Sequence, residues 1–215
     1  MRFDLVIFDC DGVLVDSEPL VNVIEAELFT HLGVPLTPQQ ARLLFKGRTV
    51  EGVVTTLEEK LGRRLSHEWV YDWGMATALG LVRGLRAVPG VRDIVEALSL
   101  KKYPICVASQ SPPARVALSL VLTGLDGFFG SRIYTASMVT HPKPAPDLFL
   151  HAAQSCGARP QACAVVEDSP SGVVAAVAAG MAAFGFAARE EASHLAAAGA
   201  KVFHAMHELR TLLEL

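Results

Sequence analysis

Two carboxylates close to each other near the N-terminus are the first residues whose types and spacing could do chemistry. Asp9 and Asp11 directly follow the apolar run 5–8. The chain then turns at Gly12, because glycine permits a tight backbone and lets a ligand approach closely. Two adjacent carboxylates repel each other, so we expect a divalent cation, a shared proton or both to hold them. The alternative is a strand followed by an acidic turn that binds nothing.

Two later apolar runs also end in polar groups. The run 105–108 ends at Ser109, just before a predicted helix, and the run 164–166 ends at Glu167 and Asp168. A hydroxyl and backbone amides at the start of a helix can bind an anion. Oxygen ligands from Asp9, Glu167 and Asp168 suit Mg²⁺, a hard cation. The histidines are scattered without ligand spacing, so a softer metal is not expected.

Four segments in this order resemble the four signatures of the haloacid dehalogenase-like hydrolase superfamily. They are residues 9–18 (DCDGVLVDSE), 107–111 (VASQS), 143–147 (KPAPD) and 165–169 (VVEDS). The resemblance extends from Phe3 to about Phe184. It implies an α/β fold with a Rossmann-like parallel sheet flanked by helices and a small all-helical cap domain inserted into it.

The resemblance also implies roles for individual residues. Asp9 is the nucleophile that forms a transient aspartyl-phosphate, and Asp11 is the general acid and base. Ser109 and Lys143 are catalytic and bind the transferring phosphoryl group. A Mg²⁺ ion is held by Asp9, Glu167, Asp168 and Asp11, the last through its backbone carbonyl rather than its side chain.

The expected substrate-binding residues include one departure from the family pattern. Gln110 stands where the family usually has Asn, which keeps the backbone donor but changes the reach of the side-chain amide. The whole expected set is Gly12, Lys46, Arg48, Ser109, Gln110 and Lys143.

The elements that must position these residues follow from the apolar pattern. Short apolar runs alternate with helical patterns after about residue 90, which predicts βαβ units on a parallel sheet. The predicted strands are 3–9, 104–108, 132–135, 162–167, 182–186 and 201–203. The predicted helices are 90–100, 112–123, 146–156, 170–180 and 206–214.

Residues 18–82 interrupt this alternation with apolar residues at helical spacing. We expect three or four helices here, forming the cap domain, with residues 1–17 and 83–215 forming the core domain. Two linkers make a hinge, and a hinged cap can exclude water during the reaction. Lys46 and Arg48 of the cap could then pair with a second anion on the substrate, such as the carboxylate of a sugar acid. An exposed, solvated basic pair is the alternative.

Composition excludes several other classes of function. The formal net charge is −3 and no basic cluster is visible, so nucleic-acid binding is not expected. No apolar run reaches the length of about 20 residues that spans a bilayer. The four cysteines show no C-x-x-C spacing, which favours reduced thiols and a cytoplasmic location. A monomer or weak dimer is expected, with a small phosphorylated metabolite as its partner.

Several activities occur within this superfamily. Dehalogenases need no general acid two residues after the nucleophile and no metal, so Asp11 argues against them. Hexose-phosphate mutases resemble the chain at residues 45–49 (FKGRT) but carry a His where Val21 stands. The segments 45–47 and 143–153 are similar to bacterial sugar-phosphate phosphatases of the 6-phosphogluconate phosphatase type, the favoured interpretation. A non-catalytic interaction protein is the remaining alternative.

Overall fold

In the part of the chain that the structure describes, six parallel strands form a single sheet. A computed structural model describes residues 3–188 and 192–214; residues 1–2, 189–191 and 215 of the predicted core domain lie outside the described residues. The strands are Leu5–Phe8 (β1), Ile105–Ser109 (β2), Ile133–Thr135 (β3), Cys163–Glu167 (β4), Ala182–Phe186 (β5) and Lys201–Phe203 (β6). Their order is β3-β2-β1-β4-β5-β6. The predicted α/β class with a Rossmann-like parallel sheet is confirmed.

β1 lies between β2 and β4 inside the sheet. Every residue of these three strands is buried, as continuous apolar strands require when helices cover both faces. Phe8 pairs with Val107 on one side and with Val166 on the other. The three strands therefore end close to the same level, so the polar residues that end or follow them meet at one edge of the sheet.

Four helices fill the chain between β1 and the rest of the sheet. They are Glu18–Leu32 (α1), Pro38–Phe45 (α2), Val50–Leu61 (α3) and His67–Gly84 (α4). Three of them begin at a hydroxyl that accepts a backbone hydrogen bond from the first turn: Thr37, Thr49 and Ser66. Their inner side chains form a hydrophobic cluster around Phe29, separate from the two clusters beside the sheet.

The remaining helices cover the two faces of the sheet. They are Val91–Leu100 (α5), Pro113–Thr123 (α6), Asp126–Phe129 (α7), Asp147–Ser155 (α8), Pro170–Ala178 (α9), Ala192–Ala197 (α10) and Glu208–Leu212 (α11). Phe8 packs into the cluster on one face and Ile7 into the cluster on the other, because successive side chains of a strand point to opposite faces.

Two further expectations can be compared with the structure. All four cysteines are free thiols, of which Cys156 is partly exposed and the others are buried. Among the described residues, no helix is both long enough and apolar enough to cross a membrane.

Candidate active site

The centre of the site is an ion pair at the end of β1. The ammonium Nζ of Lys143 donates to Asp9 Oδ1 at 2.7 Å, to Glu167 Oε1 at 2.7 Å and to the carbonyl of Ala108 at 2.9 Å. The peptide bond between Lys143 and Pro144 is cis. One buried ammonium group therefore joins the predicted nucleophile to the acidic residue at the end of β4.

Burial controls the charges of this pair. It raises the pKa of Asp9 well above its ordinary value; Lys143 opposes this, and Glu167 and Asp168 add to it. Burial also disfavours the charged form of Lys143, but Asp9 and Glu167 outweigh it and raise the pKa of the ammonium. Lys143 therefore stays protonated and opposes the neutralisation of Asp9 that burial favours.

Three carboxylates, including that of Asp9 itself, lie close together at this pair. Ligand oxygens of Asp9, Glu167 and Asp168 all lie within 4.8 Å of one another. Burial raises the pKa of Asp168 to about 7, with Glu18 and Glu167 adding to the rise and Lys46 opposing it. Carboxylates this close repel one another, and a divalent cation bound between their oxygens stabilises them. The residues present therefore fit Mg²⁺.

Glu167 is held in place from both ends of its carboxylate. Oε1 accepts from Lys143, while Oε2 accepts from the backbone N–H of Asp168 and Ser169, both at 2.9 Å, and from the Ser169 hydroxyl at 2.8 Å. Ser169 also caps α9 by accepting from the N–H of Gly172. The turn into α9 therefore positions the acidic residues that precede it.

Two glycines leave room for the carboxylates. A Cβ on Gly172 would lie 1.8 Å from Glu167 Oε1, and a Cβ on Gly12 would lie 2.1 Å from Asp168 Oδ2. Gly12 also has a positive φ of 81°. Sequence reasoning did not identify Gly172, although a glycine in the first turn of a helix is an unusual choice. From the sequence we expect Gly12 to bind substrate, whereas in the structure its missing side chain leaves the space that the Asp168 carboxylate occupies.

The side chain of Asp11 turns away from the three carboxylates. It accepts hydrogen bonds from Ser17 Oγ at 2.5 Å, Ser111 Oγ at 2.6 Å and Arg115 Nη2 at 3.0 Å. Burial alone would raise the pKa of Asp11, but Arg115 and then the two hydroxyls outweigh it and lower that pKa. The ionised form of Asp11 is therefore favoured in this arrangement.

Sequence reasoning did not identify these partners of Asp11. Arg115 lies in the first turn of α6, six positions after Ser109. A signal was available, since side chains in the first turn of a helix that follows a strand lie near the carboxyl edge of the sheet. Ser17 and Ser111 stand inside the motifs themselves, and only their spatial roles were missed.

The loop between α2 and α3 covers the site. Lys46 Nζ forms ion pairs with Asp168 Oδ2 at 2.8 Å and Glu18 Oε1 at 3.2 Å. Gln110 Nε2 donates to the carbonyl of Gly47 at 3.1 Å and to that of Lys143 at 3.0 Å. Gln110, which departs from the family pattern, thus connects the end of β2 to the loop between α2 and α3.

The predicted site residues are brought together, with one exception. A cavity between the sheet edge and the helical insertion is lined by most of them: Asp9, Asp11, Lys46, Arg48, Ser109, Gln110, Lys143, Glu167 and Asp168. Gly12 does not line it. The guanidinium of Arg48 donates to Thr56 Oγ1 at 2.9 Å. This arrangement can hold a phosphoryl group between an anchored carboxylate, an ammonium group and a cation site.

Comparison with known proteins points the same way. The chain is similar to 6-phosphogluconate phosphatase of Escherichia coli, with 28% identity over 190 residues that cover 87% of this chain and 84% of that protein. It is 32% identical over 181 residues to fructose-1-phosphate phosphatase of the same bacterium, covering 84% and 94%. Both are phosphatases by name.

A solved structure extends the likeness to the fold. A family hydrolase from Deinococcus radiodurans, with bound phosphate and sodium, superimposes with a TM-score of 0.79 at 30% identity, covering 99% of this chain and 95% of that one. The pattern of haloacid dehalogenase-like hydrolases matches residues 3–180. With this match across most of its length, the chain belongs to the haloacid dehalogenase-like hydrolase family.

Proposed function

We propose that the chain is a Mg²⁺-dependent phosphatase that hydrolyses sugar phosphates or phosphorylated sugar acids through an aspartyl-phosphate. The observation that carries this is the anchoring of Asp9 by Lys143, next to the three carboxylates that fit Mg²⁺. The names of the two phosphatases and the phosphate in the Deinococcus hydrolase support the substrate class.

The reaction has two displacements at phosphorus. In the first, a carboxylate oxygen of Asp9 forms a bond to phosphorus, the bond to the ester oxygen breaks, and Asp11 gives a proton to the leaving alkoxide. In the second, water attacks phosphorus while Asp11 accepts its proton. The bond between phosphorus and Asp9 then breaks, and inorganic phosphate leaves.

Other groups stabilise charge during these steps. Lys143 and the Ser109 hydroxyl face the phosphoryl oxygens, where preorganised donors act most strongly. Arg115 favours ionised Asp11, the form that accepts a proton from water. A bound phosphate dianion favours the protonated form, which the first step needs.

Mg²⁺ would be held by Asp9, Asp168, Glu167 and the backbone carbonyl of Asp11. When bound, the ion supplies positive charge against the phosphoryl oxygens.

A mutase is less well supported. Val21 lines the cavity at the position where the mutases carry a histidine, and no histidine is among the described residues that line it. An isopropyl group cannot take part in proton transfer. Conversion of β-glucose 1-phosphate to glucose 6-phosphate, measured against release of inorganic phosphate, separates the two activities.

Replacement of the nucleophile tests the proposal directly. Asp9→Asn should abolish turnover of sugar phosphates and of p-nitrophenyl phosphate in Mg²⁺, because an amide does not form the acyl-phosphate. Wild-type protein, with and without EDTA, is the reference for both substrates. Mg²⁺-dependent hydrolysis by Asp9→Asn protein that mass spectrometry shows to be undeamidated would contradict the assignment. Absence of any phosphomonoester hydrolysis by the wild type would contradict the function itself.

A further inference from the structure

The cavity also carries polar side chains that the proposed chemistry does not use. Asn22 and Glu25 come from α1 and Trp73 from α4. Glu25 is 5% exposed and Trp73 is 6% exposed. Nε1 of Trp73 has no hydrogen-bond partner, and no described residue donates a hydrogen bond to the Glu25 carboxylate.

Buried polar groups without partners are costly, so proteins rarely leave them unpaired. Glu25 and Trp73 both border the same cavity as Asp9. A bound molecule can therefore supply the hydrogen bonds that the described residues do not. Apolar side chains of Phe45, Val50 and Val53 also line the cavity, which suits the carbon skeleton of a sugar.

The charges in the cavity argue against an acidic leaving group. Six carboxylates of the described residues line it, namely Asp9, Asp11, Glu18, Glu25, Glu167 and Asp168. Four cationic side chains oppose them, namely Lys46, Arg48, Arg115 and Lys143. Counted with every carboxyl ionised, a formal excess of two negative charges would remain, because a divalent cation and a phosphate dianion would offset each other.

Three of the four cations are paired with carboxylates, and the fourth, Arg48, donates to the hydroxyl of Thr56. Arg115 donates to Asp11 and interacts electrostatically with Glu25. Lys46 pairs with both Glu18 and Asp168. A substrate carboxylate would have to compete with these groups and would face Glu25. A hydroxyl group pays no such electrostatic penalty and can donate to Glu25.

We propose that Glu25 and Trp73 form a hydroxyl-binding subsite that selects phosphate esters of neutral polyols over phosphorylated sugar acids. The carboxylate of Glu25 accepts from substrate hydroxyls, and the indole N–H of Trp73 donates to a hydroxyl or ring oxygen. The subsite rests on the proposed phosphatase function and narrows its substrate class. It also replaces the expectation that Lys46 and Arg48 receive a second anion.

Three substrates with different leaving groups test the subsite. They are a hexitol 6-phosphate, the corresponding aldonic acid 6-phosphate and p-nitrophenyl phosphate, which has no leaving-group hydroxyls. Wild-type kcat/KM should be at least about tenfold higher for the hexitol ester than for the acid, the size of one charge-assisted hydrogen bond. Glu25→Gln should lower the ratio of kcat/KM for the hexitol ester to that for the phenyl ester by about 10- to 100-fold.

Two further variants separate recognition from folding. Trp73→Phe keeps an aromatic ring and removes only the N–H donor, and it should lower the same ratio by about 3- to 10-fold. Glu27→Gln is the matched control, because Glu27 lies on the exposed side of α1; its ratio should equal that of the wild type.

Binding to the Asp9→Asn protein, measured by calorimetry, gives the same preference without turnover. A wild-type preference for the acid, or an equal loss on all three substrates in both Glu25→Gln and Trp73→Phe, would overturn the subsite. A wild type that hydrolyses none of the three esters would instead overturn the phosphatase function, and calorimetry would still decide the preference between the hexitol and acid esters.

Discussion

Glu167 makes four hydrogen bonds through its two carboxylate oxygens. Both oxygens are thus engaged by protein groups, which fixes the orientation of the carboxylate. Its position depends on the missing side chain of Gly172, since no Cβ fits against Oε1. At the scale of single residues, the position of the Glu167 carboxylate therefore depends both on its hydrogen-bond donors and on the space that Gly172 leaves.

Gly172→Ala should displace Glu167 and disturb the carboxylates that it holds near Asp9. We expect a rise in the Mg²⁺ concentration needed for half-maximal rate and a fall in kcat/KM of about 10-fold or more, of the order of one lost charge-assisted contact. A Mg²⁺ titration of the phosphatase rate measures both.

Gly74→Ala is the control for this glycine replacement. Gly74 also lies inside a helix, but nothing lies within 4 Å of the Cβ that would be added there. It should leave the Mg²⁺ titration unchanged and stabilise the protein by up to about 1 kcal/mol through helix propensity. Identical titrations for both variants would show that the space beside Glu167 is not needed.

At the scale of elements, α1 joins packing to function. One side of it contributes Phe29 to the hydrophobic cluster of the insertion, while Glu25 turns toward the cavity. Burial raises the pKa of Glu25 to about 7; Asp11 adds to the rise and Arg115 of α6 opposes it. A helix that places a buried carboxylate at a cavity is less stable than it would be with a neutral side chain.

Glu25→Gln should therefore stabilise the protein at alkaline pH. Glu25 binds its proton more tightly in the folded than in the unfolded protein, so wild-type stability falls as pH rises from the unfolded pKa through about 7. Gln avoids this loss, which is at most about 3 kcal/mol. The Tm difference, variant minus wild type, should be larger at pH 8 than at pH 5. Each kcal/mol of stability difference corresponds to about 2–4 °C in Tm for a chain of this size.

Thermal unfolding at several pH values measures this difference. Glu27→Gln changes an exposed carboxylate on the same helix and should show no such trend. A Tm difference for Glu25→Gln that stays constant or falls as pH rises would mean that folding does not raise the pKa of Glu25.

At the scale of the whole molecule, the site joins the sheet to the helical insertion. Lys46 of the insertion pairs with Asp168 of the core, and Gln110 of the core donates to Gly47 of the insertion. We therefore expect a cation at the three carboxylates to affect both the sheet edge and the loop between α2 and α3. A ligand that binds only the folded state raises the stability of the whole protein.

Mg²⁺ should raise the Tm of the wild type, and EDTA should reverse the rise. At ten times its Kd the ion contributes about 1.4 kcal/mol, or about 3–6 °C for a chain of this size. Asp168→Ala should shift this dependence, and that of the rate, to higher Mg²⁺ or abolish both. Protein that EDTA has freed of divalent cations gives the baseline Tm and rate. Superimposable Mg²⁺ titrations for Asp168→Ala and wild type would remove Asp168 from the cation site.

The sequence by itself determined the sheet and the polar groups at its edge. Apolar runs long enough for buried strands alternate with helical patterns, and each strand that matters ends in a residue of distinctive chemistry: Asp9, Ser109 or Glu167. Strand ends could be predicted because both the apolar pattern and the polar residue after it are local. Parallel pairing then brings those ends together whatever the detailed packing.

Only the tertiary structure decided which groups surround Asp11 and Asp168 and which side chains of the insertion line the cavity. Arg115 and Asp11 are 104 positions apart, and Glu25 and Trp73 come from different helices of the insertion. Their meeting depends on how each helix is rotated and seated on its neighbours. That seating is set by packing among many apolar side chains, and no local spacing in the sequence records it.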